Sequence, residues 1–266
     1  MKIGGSAARR PPEPAPDLER RLAALKIDVG RSSKPRDEGL TIVLDTGVGA
    51  AEAASVCEAA APWCDYAKLA WGSALVTAGL AHKLEIYRRF GVLPLLGGTL
   101  FEYAYLHGRV EDLLGIAHEH GLHVEISDGV ASIPRTDKLR WIERFAAHVE
   151  VFSEIGGKTY RLSGPWERLV REELAAGAAK IVIEGREIGP PGEAFRAELV
   201  DGLVEAVPPS RLIFEALERA QQIWLVKRMG PNVNLGNIRP ADLITLECFR
   251  QGLKEHTLLS TAAGPR

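Results

Sequence analysis

Lys180-Ile181-Val182-Ile183-Glu184 decides how this chain is read: a short apolar run that ends on a carboxylate. The same pattern recurs on either side, as His123-Val124-Glu125-Ile126, Val149-Glu150-Val151-Phe152-Ser153-Glu154 and Leu212-Ile213-Phe214-Glu215. Glu125, Glu154, Glu184 and Glu215 are thus 29, 30 and 31 residues apart. One strand and its returning helix take roughly 30 residues, so the spacing reads as consecutive strand–helix units. Acids at the C-terminal ends of successive parallel strands meet at one mouth of a βα-barrel, where that fold keeps its chemistry.

The alternation extends in both directions from this stretch. Strand patterns stand at Thr41–Asp45, Tyr66–Ala70, Val92–Leu96 and, last, Val233-Asn234-Leu235. Helical patterns follow near residues 51–61, 77–90, 110–120, 136–147, 167–176, 193–206, 218–229 and 242–253. Eight such units over residues 39–256 predict a single-domain (β/α)8 TIM-type barrel. An open doubly wound sheet would show fewer units and a glycine-rich phosphate loop after the first strand. Asp45-Thr46-Gly47-Val48-Gly49 holds only a partial G-x-G.

Residues 1–16, rich in Pro, Ala and Arg, are expected as a disordered tail. Residues 17–38 read as a helix and linker, with Leu18, Leu22 and Leu25 at helical spacing to cover the bottom of the barrel. Residues 257–266 read as a flexible C-terminal tail.

A chain of 266 residues buries a large core without disulfides or metal staples. Its formal net charge of −2 gives no broad footprint for nucleic acid or an anionic membrane, so neither is an expected partner. Cys57, Cys64 and Cys248 have no metal-ligand spacing. The start, Met1-Lys2-Ile3-Gly4-Gly5, lacks an apolar leader core and no long apolar run follows, which makes the cytoplasm the expected location.

Read in order, the strand ends and following loops carry Asp45, Lys68, Thr99 and Glu102, Glu125 with Ser127 and Asp128, Glu154 with Lys158, Glu184 with Arg186 and Glu187, Glu215, and Asn232 with Asn234. Buried unpaired charge is costly, so these groups must pair with each other, with a metal or with a substrate. A structural ion-pair network is one solution. A hard cation on the carboxylates, with Lys68, Lys158 and Arg186 holding a small anionic substrate, is the other. His118, His120 and His123 fall on a helix end, a turn and a strand start, at the opposite rim from the acids.

At these positions the chain resembles the phosphosulfolactate synthase family. The resemblance is carried by Gly39–Asp45, Lys68 with Trp71-Gly72-Ser73, Gly97–Tyr105, Val124–Gly129, Glu154-Ile155-Gly156, Ile183–Glu187, Phe214-Glu215-Ala216 and Asn232–Leu235, in one unbroken order. It implies a lyase on a βα-barrel, homo-oligomeric, that adds sulfite to phosphoenolpyruvate with Mg²⁺ to give (2R)-phospho-3-sulfolactate. That activity serves coenzyme M synthesis in methanogens and sulfolactate production in some bacteria. On this reading Glu102, Glu125, Asp128 and Glu184 are the expected metal ligands. Lys68, Arg186, Ser127, Asn232 and Asn234 bind substrate, and Lys158, with Glu154 beside it, is the catalytic proton donor.

Thr46 and Gly157 stand where the family commonly carries lysines, and Lys68-Leu69-Ala70-Trp71-Gly72-Ser73 replaces its usual Lys-Phe-Gly-Trp-Gly-Thr. The missing lysines leave open a divergent barrel that adds another nucleophile to phosphoenolpyruvate or a related enol phosphate. Gly230–Leu235 also resembles plant heat-stress proteins, which leaves open a non-catalytic member.

Overall fold

The computed structural model describes residues 17–158, 162, 164–189 and 194–258. The expected tail 1–16, the expected helix start near residue 193 and residues 259–266 lie outside these. Eight parallel strands close in chain order into one barrel. They are β1 (Thr41–Asp45), β2 (Tyr66–Leu69), β3 (Leu93–Leu96), β4 (His123–Ile126), β5 (Val151–Ile155), β6 (Lys180–Ile183), β7 (Leu212–Glu215) and β8 (Leu235–Ile238). The register shifts once at the closure between β1 and β8, between Thr41 and Val43.

The two-residue period of a strand explains how one barrel holds both an apolar core and a charged mouth. Tyr66, Leu95, Phe152, Val182 and Ile213 pack with Leu40 and Ile42 into a separate inner cluster that fills the barrel. Two residues further along the same strands, and so on the same face, stand Lys68, Glu154, Glu184 and Glu215. The neighbours that alternate with them, Val43, Ala67, Val124, Ile181, Ile183 and Phe214, pack against the ring of helices. Burial on both faces is why the strands read as near-continuous apolar runs.

Helices Ala50–Ala60, Leu80–Arg89, Val110–Glu119, Arg135–Ala146, Trp166–Ala175, Ala197–Ala206, Arg219–Met229 and Leu243–Arg250 stand within a few residues of expectation. Two more were not expected, Gly98–Leu106 after β3 and Gly185–Ile188 after β6. The last strand also differs: β8 is Leu235–Ile238 and not Val233–Leu235. Its Gly236 and Asn237 look like turn residues, and Asn237 does adopt a left-handed φ of 56°.

The N-terminal helix Leu18–Ala23 forms but buries nothing; Leu18, Leu22 and Leu25 are 47%, 56% and 77% exposed. The barrel floor is closed by the polar segment after it. Arg31 reaches Glu247 at 3.3 Å, Arg36 reaches Asp65 at 3.1 Å, and the Lys34 ammonium caps the carbonyls of Ala61 and Cys64 at 3.2 and 2.5 Å. Charged groups seal this end because strand and helix termini there present carboxylates and unpaired carbonyls. Thr257 is buried, so packing reaches into the segment expected as a flexible tail. Among the described residues no helix is long and apolar enough to cross a membrane.

Candidate active site

The charged layer above the apolar plug is a compact cluster. The Lys68 ammonium, itself buried, lies 2.9 Å from both Glu125 and Glu215. Lys158, in the loop after β5, reaches back to Glu154 at 3.1 Å. Glu125, Glu154 and Glu215 each offer a carboxylate oxygen within 4.8 Å of the other two. Glu184 follows β6 and caps the short helix Gly185–Ile188.

Both unexpected helices serve this cluster. Gly98 opens the first and donates its N–H to Glu125 at 3.0 Å; Gly185 opens the second and donates to Glu215 at 3.4 Å. Each helix start thus points positive backbone charge at a buried acid. Position 98 tolerates only glycine, since an added Cβ would stand 2.6 Å from the Ser127 hydroxyl oxygen and 3.2 Å from Glu125.

The electrostatics of Glu154, Glu184 and Glu215 diverge. Burial drives the Glu154 carboxyl well above the usual carboxylate range, and repulsion from Glu215 adds to it against the pull of Lys158. Glu184 is pushed up to about 7, first by burial and then by Glu215. For Glu215 burial also opposes the charge, but Lys68, Lys158 and the Gly185 N–H together hold it below the usual range. Burial works against both ammonium groups too, and is outweighed. Glu125, Glu215 and Glu154 hold Lys68 above its ordinary value, and Glu154, Glu125 and Glu215 do the same for Lys158.

Of the residues expected to form the site, Lys68, Glu125, Glu154, Lys158 and Glu184 meet here. Arg186 stands exposed on the rim, where its guanidinium donates to the Lys158 carbonyl at 2.7 Å. Glu102, Ser127 and Asp128 build the wall. Glu102 accepts from the Ser127 hydroxyl and from the N–H groups of Val130 and Ala131, so both its oxygens are occupied. Asp128 accepts from the buried Lys138 ammonium at 2.8 Å.

Asn232 and Asn234 are not brought to the mouth. Both precede β8, and so lie at the floor. Asn232 accepts from Ser32 N–H at 2.9 Å and donates to Gly30 at 2.8 Å; Asn234 accepts from Leu40 N–H at 2.9 Å and donates to Leu212 at 3.0 Å. Asp45 turns outward, where Lys83 at 2.7 Å and Tyr87 at 3.0 Å hold it. His123 sits at the floor end of β4, 3.0 Å from Glu150.

Two acids of the cluster were missing from the expected ligand set: Glu154, expected as a catalytic residue, and Glu215, given no role although the recurrence near 30 residues marks it as strongly as Glu184. Lys138 had no such signal, since it lies within an amphipathic helix.

Mg²⁺ fits the residues present. Fully ionised, the four carboxylates would face two ammonium groups, a deficit that one divalent cation balances and that the raised proton affinity of Glu154 and Glu184 otherwise meets in part. Glu154 Oε1 lies near the Lys158 ammonium but has no aligned hydrogen bond among the described residues. An all-oxygen donor set with such an orphaned atom suits a hard cation. Glu125, Glu154 and Glu215 would hold it, with Glu184 beside them.

The sequence profile of the (2R)-phospho-3-sulfolactate synthase (ComA) family matches residues 29–256. A phosphosulfolactate synthase of Methanothermobacter thermautotrophicus is 37% identical over 243 residues, covering 86% of this chain and 94% of that relative. One from Bacillus subtilis is 32% identical, covering 85% of this chain and 95% of the relative. Among solved structures, dihydrodipicolinate synthase from Cyanidioschyzon merolae superposes with a TM-score of 0.55 over 84% of this chain and 77% of its own, at 11% identity. That likeness concerns the barrel alone.

Proposed function

The chain belongs to the phosphosulfolactate synthase family, and from that premise we propose that it adds sulfite to phosphoenolpyruvate, with Mg²⁺, to give (2R)-phospho-3-sulfolactate. The observation that carries this reading is the Lys158–Glu154 pair standing within a buried cluster whose carboxylates outnumber its ammonium groups. In the reaction a C–S bond forms at C3, the π electrons pass toward C2 and the substrate carboxylate, and a proton must arrive at C2. Mg²⁺, when bound, supplies the fixed positive charge that stabilises the negative charge developing on the substrate.

Lys158 delivers the proton. Its ammonium is kept charged by Glu154 and is the more exposed of the two cluster lysines, so it can meet substrate. Lys68 is locked between Glu125 and Glu215, and keeps those acids oriented. Arg186 holds the Lys158 loop by its carbonyl and stands where an anionic group enters. A non-catalytic role leaves the surplus of buried carboxylates without a physical reason, because a folded scaffold gains nothing from unbalanced charge.

The direct test incubates the purified protein with phosphoenolpyruvate, sulfite and Mg²⁺. Sulfite-dependent loss of phosphoenolpyruvate, with a product carrying both phosphate and sulfonate, is expected. Phosphoenolpyruvate that stays intact rejects the assignment; its loss only to a different nucleophile moves the chain to the divergent reading.

A further inference from the structure

Lys138 takes no part in the chemistry above, yet it is only 1% exposed, on the helix Arg135–Ala146. A lone ammonium at that depth is strongly unfavourable. Its three N–H groups are spent on Asp128 Oδ1 at 2.8 Å, Glu173 Oε1 at 3.1 Å and the Glu154 carbonyl at 2.6 Å. These partners come from three elements: the loop after β4, the helix Trp166–Ala175 and the end of β5. Arg135, on the same helix, also pairs with Glu173.

Two of the three contacts lead to Lys158. Glu154, whose carbonyl Lys138 holds, is the acid paired with the Lys158 ammonium. Gly129, next to Asp128, accepts from the Lys158 main-chain N–H at 3.3 Å. The Lys158 stem lies against Gly129 as well, where an added Cβ would stand 3.1 Å from Cγ and 3.3 Å from Cε. The counter-ion of Lys158 and the seat of its stem are therefore both tied to one buried ammonium.

We propose that Lys138 is a positioning residue that sets where the Lys158 ammonium stands, through the Glu154 carbonyl and through the Asp128–Gly129 loop. Its kinetic consequence rests on the reading of Lys158 as proton donor. An apolar side chain at position 138 leaves Asp128, Glu173 and the Glu154 carbonyl without this partner and loosens both seats together.

The test compares K138M, D128A and the double variant by two readouts. In steady-state addition of sulfite to phosphoenolpyruvate, K138M is expected to lose about 30- to 100-fold in kcat with KM within about 3-fold, since a misplaced group of about 1 Å costs that much. D128A is expected to lose about 5- to 10-fold, and the double variant no more than K138M, because both act through one seat. Additive losses, or a loss confined to KM, overturn the proposal.

The second readout needs no substrate: the rate at which an amine-reactive ester acylates Lys158, followed by peptide mass and normalised to the exposed Lys227. A change of about 5-fold or more is expected in each single variant, as disrupted coupled contacts predict. Unchanged labelling in both overturns the proposal, whatever the activity. Should the wild type not add sulfite while the variants still shift Lys158 labelling, the assigned reaction fails and the positioning role stands. If K138M does not fold, D128A carries both readouts, since the Asp128 side chain is 29% exposed and its removal leaves Lys138 paired with Glu173 and the Glu154 carbonyl.

Discussion

At the floor of the barrel Asp65 and Glu247 each have an arginine, and Arg250 is spent on the carbonyls of Pro231, Val233 and Leu40. At the mouth Glu125, Glu154, Glu184 and Glu215 share Lys68 and Lys158. Both ends bury charge beneath the same ring of helices. The floor's buried Asp65 and Glu247 are accounted for by closing the fold. The mouth's carboxylates are not, and their surplus asks for something from solution. Burial alone therefore does not mark a site; a surplus of buried carboxylates, which a cation from solution can meet, does.

The largest expected difference between the ends is in rate. K158A should lower turnover by about 10²- to 10⁴-fold, the range for losing a general acid, while the protein stays folded. A steady-state assay beside a circular dichroism spectrum checks this. A fall under about 10-fold would mean that the proton comes from elsewhere.

A floor variant should do the reverse. N234A leaves the Leu40 N–H and the Leu212 carbonyl without their side-chain partner, and is expected to cost about 1–3 kcal/mol in urea unfolding with kcat unchanged. A loss of kcat without loss of stability would erase the distinction between the ends.

The smallest effect sharpens the contrast by pH. Glu184 holds its proton up to about 7 in the fold, against roughly 4.3 for an unfolded glutamate. Between those values the native state binds a proton that the unfolded state has released. This contribution to stability is therefore full below about 4.3 and is lost as pH rises through about 7. Without divalent cation, the melting temperature should fall between pH 5 and 8 (roughly the window set by the two values), and E184Q should flatten that slope. A slope as steep in E184Q as in the wild type would remove Glu184 from the coupled cluster.

Much of this was legible in the sequence, for reasons that also explain what was not. Strand-end acids near a 30-residue period gave the barrel and its mouth, because one βα unit sets that period. β8 was misplaced because Gly236 and Asn237 lie inside it, and Asn232 and Asn234 then went to the wrong end. The helix Gly98–Leu106 was hidden by Gly97-Gly98-Thr99, which reads as a loop; in the fold Gly98 is needed to let backbone approach Ser127 and Glu125. The pattern shows which rim a residue occupies but not its partner. Glu102 is occupied by backbone 28 and 29 residues away, and Asp128 by Lys138 from within the next helix. Those contacts exist only once the chain has closed.

The account turns on whether the mouth holds a divalent cation that the floor does not. Titration calorimetry of Mg²⁺ at about pH 8, above the value of about 7 to which Glu184 is pushed, measures this directly on the wild type, E154Q and the floor variant E247Q. About one ion per chain is predicted for the wild type and E247Q, with binding weakened by about 10-fold or more in E154Q. Equal binding in E154Q and the wild type would contradict the account, as would a wild type that takes up no Mg²⁺.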